Sequence, residues 1–190
     1  MGNEYIYIQD SGKQTITTKG MKAEIHCVEK NAFRTVVEIC HEMMVPSGMG
    51  EELQRQREMC IDPYTRVANR SKELVPMEVK TVLTLEKSGK GLHVATTICN
   101  QAKDHRVRVV MPTGLNTSTH LADSAFEVVK RNNRHNDTWT NPCGCERQQC
   151  FAAMEDETNG LLVANRGLYE YEVLADAVSY THLTLPTKLE

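Results

Sequence analysis

The sequence predicts an all-β fold, two packed antiparallel sheets in a β-sandwich, and three features carry that expectation. From Val75 to Leu85, "VPMEVKTVLTL" alternates with a period of two: Val75, Met77, Val79, Thr81, Leu83 and Leu85 share one face of a strand, while Pro76, Glu78, Lys80, Val82 and Thr84 share the other. Short turn-rich segments, "EKSGKG" and "NQAKD", separate such runs, and strands joined this closely pair antiparallel. The chain also shows no heptads and no internal repeat, which leaves packed sheets as the simplest architecture.

The elements follow in order. "MKAEIHCVE" and "RTVVEIC" read as two strands ahead of the Val75–Leu85 strand. "GEELQRQREM" between them offers only Leu53 and Met59 as an apolar face, so it reads as irregular. After Leu85, "LHVATTIC" places Leu92, Val94, Thr96 and Ile98 on one face, and "HRVRVVM" forms a third strand of a meander, closed by Pro112 with no N–H for a ladder. Asn132–Cys150 is polar and patternless, and reads as a long loop. "FAAME" and "GLLVAN" are strands around the turn "DETNG". "LYEYEVL" is a last strand with Tyr169, Tyr171 and Val173 opposite Glu170 and Glu172. The final "VSYTHLTLPTKLE" does not continue the pattern and is similar to translated sequencing-adapter tails. The expected domain is therefore 1–177, with 178–190 a non-native tail outside the fold.

A net charge of −3 and a pI near 6.2 argue against nucleic acid as a partner. No run of 18 apolar residues spans a membrane, and the N-terminus carries no secretory pattern, which together point to a cytoplasmic protein. Seven scattered cysteines fit a reducing compartment, with Cys27, Cys40 and Cys99 expected as small buried hydrophobes in strands. Cys143, Cys145 and Cys150, with His135 nearby, could ligate zinc, but C-x-C-x4-C lacks the paired spacing of structural sites; a cysteine-containing surface loop is favoured, with no metal. "EICHEMM" lacks the second histidine of a zincin, and no nucleophile elbow or phosphate loop occurs. No pair of carboxylates stands out from solvated strand faces, so the residues themselves show no catalytic group.

"NQAKDHRVRVVMPTGL", "ADSAFEVVKR" and "LLVANRGLYEYEV" together resemble the C-terminal region of bacterial-type glycoside hydrolase family 38 α-mannosidases, in family order over Val75–Leu174. The resemblance implies a retaining α-mannosidase, or a relative acting on phosphorylated mannosyl-glycerate, and for this region an antiparallel β-sandwich of the supersandwich, galactose-mutarotase-like kind. The enzyme's zinc and nucleophilic aspartate would belong to an N-terminal catalytic domain that 190 residues cannot also hold. This chain would then be a fragment without catalytic residues, packed on the missing domain and reaching a mannoside or phospho-mannoside only through the full-length enzyme. Two departures stand out: the long "NNRHNDTWTNPCGCERQQC" insertion, and Tyr169 where proline is common. A free-standing carbohydrate-binding or scaffolding sandwich is the alternative.

Gly167 after Asn165-Arg166 marks a tight turn. The turn explains the glycine but not Arg166, whose default is plain solvation. The resemblance makes Asn165 and Arg166 candidates for the substrate edge or the domain interface, with His105 and Arg106 as weaker candidates for the same rim.

Overall fold

The computed structural model describes residues 8–12, 15–133, 145–174 and, as backbone, 177–182. It divides into two compact units that meet in sequence between His105 and Arg106.

The first unit is a meander. Strands β1 (Glu24–Lys30), β2 (Arg34–Pro46), β3 (Leu74–Glu86) and β4 (Leu92–Cys99) pair antiparallel in that order, as the short turns predict. The register joins Met43 to Met77 and Val79 to Ile98, so the odd face of β3 lies beside apolar neighbours on both sides. Met43, Val45, Met77 and Ala102 are the buried part of this face. Arg70 fixes the loop behind it. Its guanidinium donates to the carbonyls of Pro46 and Lys103, each at 3.0 Å, and to that of Asp104. Three backbone acceptors are satisfied by one planar fork of donors.

The segment read as irregular is a helix, α1 (Glu51–Glu58). Its apolar content is low, but Glu51 and Glu52 occupy the first turn, Arg55 and Arg57 the last, and Arg55 pairs with both acids. Leu53 is buried, and the amide of buried Gln56 donates to Val67 O at 2.7 Å and accepts from Val67 N at 3.0 Å. A polar residue does the anchoring that an apolar stripe would otherwise do.

The second unit is a sandwich. It comprises β5 (Val107–Pro112), β6 (Thr119–Asp123), β7 (Val128–Asn132), β8 (Cys145–Arg147), β9 (Phe151–Glu155), β10 (Gly160–Ala164), β11 (Glu170–Leu174) and β12 (Ala177–His182). One sheet runs β10-β9-β6-β7 and the other β5-β12-β11-β8, all pairs antiparallel. Ala122, Ala152 and Met154 from the first sheet pack with Tyr171 and Val173 from the second, closed by Leu115. The all-β sandwich expectation is met.

Several expectations give way. β5 does not extend the meander after β4; it pairs with β12 instead. The hairpin of β6 and β7 has no counterpart in the sequence reading, because its buried positions include His120 and alanine rather than a run of large apolar residues. The polar stretch from Asn132 to Cys150 contains β8; residues 134–144, with His135 and Cys143, lie outside the described residues. Cys27 and Cys99 are in strands but exposed, and Cys40 is half-buried. The segment set aside after Ala177 joins the fold as far as His182, because a strand position between β5 and β11 asks only for backbone donors and acceptors.

Deleting Val178–Glu190 therefore leaves two ladders unpaired, at about 1 kcal/mol for each backbone hydrogen bond lost. Differential scanning calorimetry is expected to show the second unit's cooperative transition abolished or lowered by more than about 10 °C. An unchanged thermogram would show the strand to be dispensable.

Candidate functional site

Among the described residues of the second unit, one polar constellation is centred on buried side chains and another on an exposed turn. The buried one arises from two cross-strand pairs. In one sheet His120 of β6 lies opposite Arg131 of β7; in the other Tyr171 of β11 lies opposite Glu146 of β8. The pairs meet in the core. Tyr171 is 0% exposed and His120 2%. His120 Nε2 is 2.7 Å from the Tyr171 hydroxyl, with the rings edge-on at 5.4 Å. Arg131 Nη1 donates to the same hydroxyl at 2.9 Å and pairs with Glu146 Oε2 at 3.1 Å. The hydroxyl lies 3.2 Å from Glu146 Oε2, to which it can donate. The Asn133 amide nitrogen donates to Thr117 O at 2.6 Å, so Asn133 turns its oxygen toward His120, and Nδ1 is the donor in that 2.8 Å bond.

Burial pushes the Glu146 carboxyl up, but His120, the Arg131 cation and the Tyr171 hydroxyl outweigh it, and the group sits below its ordinary range. Burial, reinforced by the Glu146 charge, pushes the Tyr171 phenol up, so it stays protonated at neutral pH. His120 and Tyr171 are buried, Arg131 and Glu146 are partly exposed, and Arg131 also donates to the carbonyl of Arg147. The chemistry of the constellation is cross-linking of sheets.

The exposed constellation is the turn after β10. Gly167 has φ +89°, the left-handed conformation its sequence context predicts. Asn165 Oδ1 accepts from Leu168 N at 3.2 Å, and Asn165 N donates to Cys150 O at 2.7 Å. Buried Gln148 donates from its amide to Leu168 O at 2.6 Å and from its backbone to Tyr169 O at 3.0 Å. Beneath this stands Asp123, whose carboxylate accepts from Gln149 N and Cys150 N at 2.8 Å and Phe151 N at 3.2 Å. Burial raises the Asp123 carboxyl; the three backbone donors overcome it and hold the group below the usual aspartate range. Asp123, the Cys150 peptide and Asn165 thus form a chain from the "ADSAF" stretch to the "VANRG" stretch, which sequence distance kept apart.

Arg166 is exposed on this braced turn, with no hydrogen bond or ion pair among the described residues. Its guanidinium is available for a carboxylate, a phosphate or sugar hydroxyls. The other candidates make contacts of their own. Arg106 donates from Nη1 to Cys145 Sγ at 2.9 Å. His105 ends the first unit; its Nδ1 donates to Lys103 O at 3.3 Å. Burial, with the Arg70 cation adding, lowers its pKa against the opposing effects of the Lys103 carbonyl and Asp104. Among the described residues no three His, Cys, Asp or Glu side chains are placed to hold a metal. A shallow depression lined by Asp10, Gly12, Asn69, Arg70 and Ser71 lies in the first unit, where Arg70 is engaged by backbone carbonyls.

Residues 1–185 match the glycosyl hydrolases family 38 C-terminal domain. The chain belongs to this family. The C-terminal domain is 37% identical over 183 residues to a protein of Halalkalibacterium halodurans named "Putative mannosylglycerate hydrolase", covering 96% of this chain and 20% of that protein. It superposes with a TM-score of 0.86 on an α-mannosidase from Enterococcus faecalis V583, at 41% identity over 95% of this chain and 21% of the other. A second Enterococcus faecalis structure, of a protein in glycosyl hydrolase family 38, gives 0.83 at 39% identity, again with 21% of that chain covered. The domain thus spans about a fifth of the length of these relatives. Neither Asp123 nor Glu146 was singled out from sequence, although Asp123 lies within one of the family stretches; Glu146 and His120 carried no local signal.

Two predictions follow from the buried pairs. Tyr171→Phe removes the hydroxyl that His120, Arg131 and Glu146 share, at a cost of about 1–3 kcal/mol, or a fall of roughly 3–10 °C in melting temperature. Glu146 has a folded pKa below its ordinary value of 4.5, so its contribution is present above that pH and is lost as pH falls through the folded value. Glu146→Gln is therefore expected to flatten the decline of melting temperature below about pH 4.5, measured against the parent across an acid titration.

Proposed function

We propose that this C-terminal domain is the structural and carbohydrate-facing part of a longer, cytoplasmic α-mannosidase. That enzyme would cleave terminal α-mannosides, or a phosphorylated mannosyl-glycerate, with retention at the sugar carbon. The single observation that supports this most is the match over residues 1–185 with relatives about five times as long, two of them named for mannoside chemistry or solved as α-mannosidases. In this reading the carboxylates that a retaining glycosidase needs, and the zinc, belong to the part of the enzyme outside these residues. The chain's own contribution is the braced Asn165–Gly167 turn. Asp123 and Gln148 hold its backbone in place, so Arg166 can meet a charged or hydroxylated group with little ordering left to do.

Two measurements test this reading. The longer gene product should hydrolyse a nitrophenyl α-mannoside or mannosyl-glycerate, while the 190-residue chain should not. In the longer enzyme, Arg166→Ala should lower kcat/KM by about ten- to a hundredfold, the loss of one charge-assisted contact, with the melting temperature unchanged. Unchanged kinetics would leave Arg166 in solvent. Asp123→Asn, which loosens the brace without touching the guanidinium, should lower activity less than Arg166→Ala and lower the melting temperature more.

A further inference from the structure

The depression in the first unit contains a buried carboxylate without a partner. Asp10 is 8% exposed and lines the depression. Among the described residues, no hydrogen bond or ion pair reaches its side chain. Withdrawing a carboxylate from water without pairing it is costly, and a fold that keeps one in this state has a use for its free oxygens.

The walls around Asp10 are held by backbone bonds. Ser11 N donates to Ala68 O at 3.0 Å, Gly50 N to Asn69 O at 2.9 Å and Ser71 N to Gly48 O at 2.9 Å. These bonds set the segment of Asp10 beside that of Asn69. Gly12 leaves the space between the two side chains open. A methyl group on its Cα would lie 3.2 Å from Asp10 Oδ2 and 3.5 Å from Asn69 Oδ1. Both side-chain amide and carboxylate groups therefore face one point above Gly12. Arg70 and Ser71 complete the lining, around a volume of about 310 Å³.

The charges and donors of this lining select the ligand. A hard metal cation takes about six or more oxygen ligands, and one carboxylate, one amide and one hydroxyl fall short of that. Arg70 lines the same depression, and its positive charge offsets that of Asp10. An anion would meet the Asp10 carboxylate. An uncharged molecule with neighbouring hydroxyls fits: a carboxylate accepts from two O–H groups at its two oxygens, and an amide both accepts and donates. The volume is at the small end for ligand pockets, which suits one sugar ring rather than a longer chain.

We propose that this depression is a carbohydrate-binding site, in which Asp10 and Asn69 hold a vicinal diol of one hexose ring above Gly12. Its residues belong to the first unit, and Arg166 belongs to the second. The site does not require the mannosidase reading, and its test reads binding rather than hydrolysis.

The isotope-labelled 190-residue chain is titrated with methyl α-mannoside and followed by amide NMR. The signals of Gly12 and Asn69 should shift and saturate, with a Kd on the order of 1–10 mM for a small ligand on an open site. Tetrahydropyran, a ring of similar size without hydroxyls, should shift neither. Asp10→Asn preserves the shape and removes the charge, and should weaken binding by about tenfold. Gly12→Ala keeps both oxygens and puts a methyl group between them, and should weaken binding by at least as much. Asp10→Asn should also leave the melting temperature unchanged or raised, because it removes an unpaired buried charge. A fall of more than about 5 °C would make Asp10 an anchor of the fold and overturn the proposal. Absence of a saturable shift up to about 100 mM mannoside overturns it, as does binding indifferent to both substitutions. Calcium chloride shifting the same amides at about 1 mM, with the effect lost in Asp10→Asn, would make this a cation site and overturn it too.

Discussion

The hydroxyl of Tyr171 sits where the two sheets of the second unit meet, and its hydrogen-bond partners belong to both. His120 and Arg131 reach it from one sheet, and Glu146 approaches it from its own. A sandwich core made only of apolar contacts fixes the separation of its sheets but leaves their offset weakly specified. A buried hydroxyl with directional partners on both sides sets that offset, since a slide of either sheet would leave a polar atom buried without a partner. The small residues around it are consistent with this. Ala122 and Ala152 are cross-strand neighbours in one sheet, and their short side chains share the buried cluster with the Tyr171 ring.

The exposed turn depends on the same framework. β6 carries His120 toward the core and ends in Asp123, which reaches the peptide groups of residues 149–151. β11 carries Tyr171 and begins just after the turn that holds Arg166. The network that fixes the sheets therefore also fixes the two chain segments that brace the turn. A group on a rigid element loses less conformational freedom when it meets a ligand, which is why the proposed role falls on this turn.

The two units handle polar and apolar surface differently. In the second, polar side chains are drawn inward and paired, and both sheets share one core. In the first, Arg70 satisfies carbonyls at one end of the sheet while the other end of the apolar face stays open.

The sequence alone determined the all-β class, the amphipathic strand at Val75–Leu85, the positive-φ glycine at 167 and, through three stretches in family order, the kinship. Each of these is written locally, in a period of two or in residues whose backbone preferences leave a signature. Only the tertiary structure decided that His120 is a core residue, that Asp123 braces a turn more than forty residues away, that β5 leaves the meander and that residues 177–182 separate β5 from β11. A buried polar residue looks the same in sequence as an exposed one, because what distinguishes them is a partner contributed from elsewhere in the chain. Strand order is decided by which backbone donors and acceptors remain free after folding, and no local pattern records that.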